Sequence, residues 1–410
     1  MPLPFSNKAK TTSLNSDTKQ FILKKEGRIK MEKGKKAITE PAAIITEPGE
    51  QYALENRKWQ GCPTLARTPK GRLWAGWYSG GICEPDERNY NLLVYSDDGG
   101  IIWSDPVLVI DSRPELHLRA MDIQVWMDPA DRLWVFWTQT ADSEQKDENG
   151  RCLEYADGIF GVWAVTTMDT ASSKPSWTQP VRISDGFLRC RPTVLSNRKI
   201  IMCPYDWIHD RYTYNISSDN GDSWMRCLGP VKTGSRCCFD ETMIIERKDG
   251  ILWMLARTVQ GALAQSFSCD GAQSWLPAGL SRIANPSSRF WIGRLSSGRM
   301  LLINHHNFTG RNRLAAFLSE DEGETWPWML LLDERCNVSY PDAVECPDGS
   351  ILCIYDRDRI GTGEILLAKF TESDILSGKV GSRGSFLKRT ICRCPPLVQD
   401  QDHSEVSYEK

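Results

Sequence analysis

Residues 311–357 read RNRLAAFLSEDEGETWPWMLLLDERCNVSYPDAVECPDGSILCIYDR, and two features of this stretch decide how the rest of the chain is read. The first is Ser319-x-Asp321-x-Gly323-x-x-Trp326, a tight turn between two apolar runs of strand character. Asp and Ser side chains bond turn amides, Gly accepts positive φ, and Trp packs across a hairpin. The second is Tyr340, isolated just ahead of another strand–turn–strand run, with Arg311 upstream at the start of its own strand.

The turn recurs. Ser96-x-Asp98-x-Gly100-x-x-Trp103 and Ser217-x-Asp219-x-Gly221-x-x-Trp224 are full copies, and Ser268-x-Asp270-x-Ala272-x-x-Trp275 departs only at the Gly position. The last three begin at 217, 268 and 319, a constant interval of 51 residues. A stretched relic, TTMDTASSKPSW, ends at Trp177. Between the turns lie short runs rich in β-branched and aromatic residues, such as GRLWAGWY (71–78), DRLWVFWT (131–138) and GILWMLART (250–258), bounded by Gly, Asp, Asn or Pro. Helical periodicity is nearly absent, apart from the polar ESDILSGK segment at 372–379. A period near 50 residues with several short strands per unit is that of propeller blades. The reading is an all-β chain: a six-bladed β-propeller of four-stranded antiparallel blades over residues 41–373. A basic, disordered leader is expected at 1–40 and a partly disordered extension at 374–410. Ala42–Thr46 (AAIIT) stands alone before the first repeat and is expected to complete the last blade.

The bulk numbers exclude several classes. With 410 residues, 40% hydrophobic and 25% charged, the chain can bury a sizeable core. A net charge of -3 exerts no global pull toward nucleic acid or an anionic membrane. The leader carries ten Lys/Arg against four Asp/Glu, which reads as solvated. No run of about 18 apolar residues is present, so no transmembrane helix is expected. The 14 Cys show no paired CxxC spacing for zinc, and residues 1–20 have no apolar secretory core. Reduced thiols in a cytoplasmic protein are the expectation, with neither metal nor cofactor.

The repeated turns resemble the Asp-boxes of sialidases and related proteins, over roughly residues 42–372. Asp-boxes sit on blade hairpins of many propellers, so they speak for the fold rather than the substrate. The order of further residues is a more specific resemblance. Glu241 followed by the strand ending in Arg257 (ETMIIERKDGILWMLAR) is similar to the glutamate and second arginine of sialidases. Arg311, eight residues before the last turn's serine, resembles their third arginine, and Tyr340 their tyrosine nucleophile. The departure is at the front: Gln60-Gly61-Cys62-Pro63 places Gly61 where the first arginine of the family's triad stands. Arg313, Arg289 and Arg236 are candidates to replace it. The loop GGICEPDERNYN offers Glu84 and Asp86 where the family keeps its acid/base, with no sequence ground for choosing between them. Asp122, in RAMDIQVW, either holds substrate hydroxyls or caps a turn, since a buried Asp needs partners.

The resemblance implies an exo-acting, retaining glycoside hydrolase acting on a terminal acidic sugar such as sialic acid. A carboxylate nucleophile would be repelled by the carboxylate on such a sugar's anomeric carbon; a phenol activated by a neighbouring Glu avoids this. Arg257 and Arg311 would hold the sugar's carboxylate by charge-assisted, bidentate bonds. Two alternatives stay open: hydrolysis of another ulosonic or uronic acid glycoside, because Gly61 widens one side of the site, and a propeller that binds glycans without turnover.

Overall fold

The computed structural model describes residues 39–84, 86, 88–116, 118–141, 160–206, 209–232 and 239–395. The expected leader lies almost wholly outside them, as does Arg236. Six antiparallel sheets follow one another along the chain, five of four strands and the first of five. Blade 1 runs from Trp59–Arg67 through Leu73–Gly80 and Tyr90–Ser96 to Leu108–Asp111. Blade 2 opens with Leu118–Met127, blade 3 with Thr193–Val194, blade 4 with Met243–Glu246, blade 5 with Trp291–Arg294 and blade 6 with Val338–Glu345. These opening strands pack on one another around the axis, and the ring closes where Trp59–Arg67 meets Val338–Glu345. The chain is a six-bladed β-propeller.

Two boundaries differ from expectation. The segment Ala43–Ile45 pairs with Leu108–Asp111 and so adds a fifth, outermost strand to blade 1, not to blade 6. It protects the edge of the first sheet, which would otherwise expose unpaired backbone groups. Blade 6 needs no borrowed strand, because Phe386–Arg393 pairs with Glu364–Thr371 as its fourth. That strand falls within the segment read as an extension. The polar run at 372–379 forms the short helix Glu372–Ser377, capped at both ends by Thr371 and by left-handed Gly378.

The repeated turns join the third and fourth strands of their blades. In each the serine hydroxyl meets the aspartate and accepts from the amide four residues on, while the aspartate accepts amides at the far side of the turn. Their glycines have two tasks. Gly221 and Gly323 hold φ of 91° and 88°, and a Cβ on them would come within 2.9 Å of Trp134 and 2.3 Å of Trp253. Each of those tryptophans belongs to the preceding blade, so the turn is also a seam between blades. Ala272 keeps the same backbone at φ 71° in blade 4, and there its carbonyl accepts from Tyr214 of blade 3 at 2.6 Å.

Candidate active site

Bulges in the opening strands shape the axial pocket. Register shifts lie between Gly61 and Thr64, between Met121 and Gln124, and between Ser339 and Asp342. A residue in each bulge takes left-handed backbone: Cys62 (φ 57°), Asp122 (57°) and Tyr340 (55°), and Glu241 does so (44°) just before its strand. Bulges re-aim side chains, and non-glycine residues held at positive φ cost about 1–3 kcal/mol each. Four such residues from four blades point to one place. Prolines follow Cys62 and Tyr340, a local signal that the sequence did carry.

The Tyr340 hydroxyl donates to Glu241 Oε1 and accepts from Arg257 Nη1 at 3.2 Å. Arg257 Nη1 also pairs with Glu241 Oε1 at 2.9 Å, and its Nε donates to Ser287 Oγ at 3.2 Å. Glu241 and Tyr340 are both buried. Burial would lift the Glu241 carboxyl, but the charges of Arg257 and Arg189 outweigh it and hold the group below its ordinary value. Tyr340 goes the other way: burial, then the adjacent Glu241 charge, pushes its phenol up to about 12. The pair is therefore a neutral phenol against a carboxylate.

Around them is a cleft of about 220 Å³ lined by Tyr78, Glu84, Met121, Arg189, Phe239, Arg257, Arg311, Tyr340 and Arg359. Sites for drug-sized ligands run from roughly 300 to 1,000 Å³, so this one suits a single sugar residue better than a chain. A larger cleft of about 550 Å³ lies between blades 4 and 5, edged by Trp253, Phe267, Phe317 and Trp326. It is roomier, but among the described residues the tyrosine–glutamate–arginine cluster lies at the axial cleft and not there.

Among the described residues, four guanidiniums face the axial cleft. Arg189 Nη1 pairs with Asp122 at 2.7 Å and its Nη2 with Glu84 at 3.2 Å. Arg359 pairs with Asp356 at 2.8 Å and with Glu84 at 3.2 Å. Arg257 has Glu241. Arg311 donates to the Ser287 carbonyl at 2.9 Å and, among the described residues, pairs with no carboxylate. Burial and the like charges of Arg257 and Arg359 draw its pKa down, although Tyr340 pulls the other way. An anion entering the cleft would relieve that cation.

The other anticipated residues divide. Glu84 reaches the cleft. Asp86 is turned back on its own loop, where Arg88 and the Ile82 amide bind it; chiefly through Arg88, its pKa falls to about 2. Asp122 is fully buried beside the cleft, and burial lifts its carboxyl to about 7 against the pull of Arg189. Donor atoms of Cys62, Glu84 and Asp122 lie within 4.8 Å of one another, but the Arg189 guanidinium already sits among them, 3.0 Å from Cys62 Sγ. Arg313 folds onto the His306 carbonyl of its own hairpin. Arg289 lies behind Tyr340, where it donates to the carbonyls of Arg189, Pro63, Tyr340 and Pro341 at 2.7–3.2 Å. It ties blades together instead of facing the cleft. Arg189 and Arg359 escaped the sequence reading. Arg189 precedes Cys190-Arg191-Pro192 at the mouth of blade 3, a pattern close to Cys62-Pro63 and Tyr340-Pro341; Arg359 sits in a loop with no motif.

A six-bladed propeller with a tyrosine–glutamate–arginine cluster on its axis defines a protein of the sialidase-like class. A match to the BNR repeat-like domain over residues 71–353, well over half the sequence, assigns the chain to that family. Similarity to a curated relative, the anhydrosialidase of Macrobdella decora, amounts to 23% identity over 229 residues, 51% of this chain and 30% of that protein. The chain thus spans about a third of the length of that relative. Among solved structures, the NanB sialidase of Streptococcus pneumoniae superposes with a TM-score of 0.60 at 15% identity, covering 82% of this chain and 71% of that one. The intramolecular trans-sialidase of Ruminococcus gnavus gives 0.60 at 15% identity, covering 82% and 98%. At such identities these likenesses speak for the fold.

Proposed function

We propose that this chain is an exo-acting, retaining glycoside hydrolase that removes a terminal acidic sugar such as sialic acid through Tyr340. The observation that carries the reading is the Tyr340 hydroxyl set between Glu241 and Arg257 at the floor of a small cationic cleft. A phenol near pKa 12 is a weak nucleophile until its proton is taken, and Glu241 is in contact to take it.

In the first step the Tyr340 oxygen bonds to the anomeric carbon as its proton passes to Glu241. The bond to the aglycone breaks, and Glu84 supplies the proton to the leaving oxygen. Water then attacks the same carbon, giving its proton to Glu84, while the Tyr340 oxygen leaves and recovers its own from Glu241. Two inversions retain configuration. Arg257 and Arg311 hold the sugar's carboxylate, with Arg311 contributing the cation that no described carboxylate answers. Asp122, its carboxyl lifted to about 7, lies within reach of Glu84 as a further proton carrier.

The test is release of 4-methylumbelliferone from its α-sialoside and from a panel of uronic and other ulosonic glycosides. Turnover of at least one acidic glycoside, abolished by Tyr340→Phe, is the expected result. Binding of acidic sugars with no turnover on any of them would leave a glycan-binding propeller.

A further inference from the structure

By its resemblance to sialidases the chain has Gly61 where their first arginine would stand, and in the structure Arg359, a loop residue of blade 6, fills the adjoining space. A Cβ built on Gly61 would lie 2.7 Å from both Cδ and Nε of Arg359 and 3.0 Å from its Cγ. Carbon atoms in ordinary contact keep about 3.5–4.0 Å. A side chain at 61 and the present course of Arg359 are therefore mutually exclusive. Gly61 is not among the residues of positive φ, so backbone conformation does not demand a glycine there, and the three nearest atoms to a Cβ all belong to Arg359.

Arg359 follows Ser350–Arg357, the second strand of blade 6. Asp356 Oδ2 accepts from its Nε at 2.9 Å and pairs with its Nη2 at 2.8 Å. Asp356 is itself buried and fixed by the Cys62 amide and the Ser339 hydroxyl, each at 2.7 Å. The guanidinium is thereby locked with its carbon 4.1 Å from the centroid of the Tyr340 ring, nearer than the 5.6 Å of Arg311. Its Nη1 faces the cleft, where it meets Glu84 Oε2 at 3.2 Å.

We propose that Arg359 is the third arm of the carboxylate clamp with Arg257 and Arg311, standing in the room that a side chain at position 61 would take. This rests on the acidic-sugar reading above. A carboxylate offers about four acceptor positions, and two guanidiniums leave part of that capacity for a third donor. An arm already anchored by Asp356 loses little freedom when it binds, which favours affinity. The acceptor on Nη1 passes from Glu84 to the sugar, and Glu84 keeps Arg189 as its partner.

The experiment measures binding of sialic, 3-deoxyoctulosonic, glucuronic and galacturonic acids by calorimetry, each beside its methyl ester. Arg359→Ala is expected to weaken the bound acid about 10- to 100-fold and leave its ester nearly unchanged. Arg359→Lys keeps the charge and recovers part of the loss, which a misfolded variant would not. Gly61→Ala displaces Arg359 and weakens the acid in the native background, yet adds nothing once Arg359 is alanine. If acid and ester respond alike to Arg359→Ala, or if Gly61→Ala is equally harmful in both backgrounds, the third arm is refuted while the hydrolase reading stands. If the native protein binds none of the acids, the acidic-sugar reading falls, and this proposal with it.

Discussion

The Tyr340 hydroxyl donates to Glu241 although 99 residues separate the two in the chain. Blade 4 supplies the carboxylate and blade 6 the phenol, and Arg257 bonds to both, so the fold itself holds the three groups together. Such preorganisation makes each of these groups sensitive to substitution.

Removing only the hydroxyl leaves the Glu241–Arg257 ion pair intact, so Tyr340→Phe should fold normally. Its kcat on any turned-over glycoside is expected to fall by at least about 10³-fold, because the oxygen that bonds to the anomeric carbon is gone. Full activity in that variant, measured beside an unchanged melting curve, would remove Tyr340 from the mechanism.

Glu241→Ala strands Arg257 without its buried partner, and a loss of about 3 kcal/mol in urea unfolding is expected. Glu241→Gln tests the sign of the titration. The folded-state pKa lies below the ordinary 4.5, so the group's contribution to stability is present above 4.5 and lost as pH falls through the folded value. The native protein should therefore lose more stability than Glu241→Gln between pH 5 and pH 3. Parallel acid limbs would contradict the assignment.

Asp122 has the opposite sign. Its folded value of about 7 stands above the ordinary 3.8, so its contribution is complete below 3.8 and disappears as pH rises through about 7. Asp122→Asn does not titrate. The difference in melting temperature, variant minus native, should grow more positive between pH 4 and pH 7.5; a difference flat across that window would show that Asp122 is an ordinary ionised carboxylate.

Arg289 distinguishes a clamp from a staple. Its bonds to carbonyls of blades 1, 3 and 6 are buried, and losing them leaves those acceptors unsatisfied, at about 1–3 kcal/mol for each such group. Arg289→Ala is expected to destabilise the fold by several kcal/mol, read from the urea midpoint. A stable variant with a raised KM would instead place Arg289 against the substrate.

Part of this site was readable as text. Glu241, Arg257, Arg311 and Tyr340 stand out in the sequence through their resemblance to sialidase site residues, and the ring brings all of them together at one cleft. Asp86 and Glu84 were indistinguishable as letters because both sit in one acidic loop; an arginine two residues on, Arg88, turns the first away. Arg313 and Arg289 lie in sequence close to strands that face the cleft, but neither side chain enters it. Their directions follow from a hairpin carbonyl in one case and a set of buried carbonyls in the other, neither of which has a sequence signature.

What the sequence determined alone was the ring of blades. A serine, an aspartate, a glycine and a tryptophan act within a single hairpin, so their spacing is itself the physical cause of the turn, and its 51-residue recurrence is the blade. Which charges meet was decided by the closed propeller. Bulges rotate Cys62, Asp122 and Tyr340 toward the axis, and closure lays Arg359 against Gly61 across nearly the whole described chain. Electrostatic and steric contacts depend on distance in space, and sequence separation carries no record of it until the last blade has packed on the first.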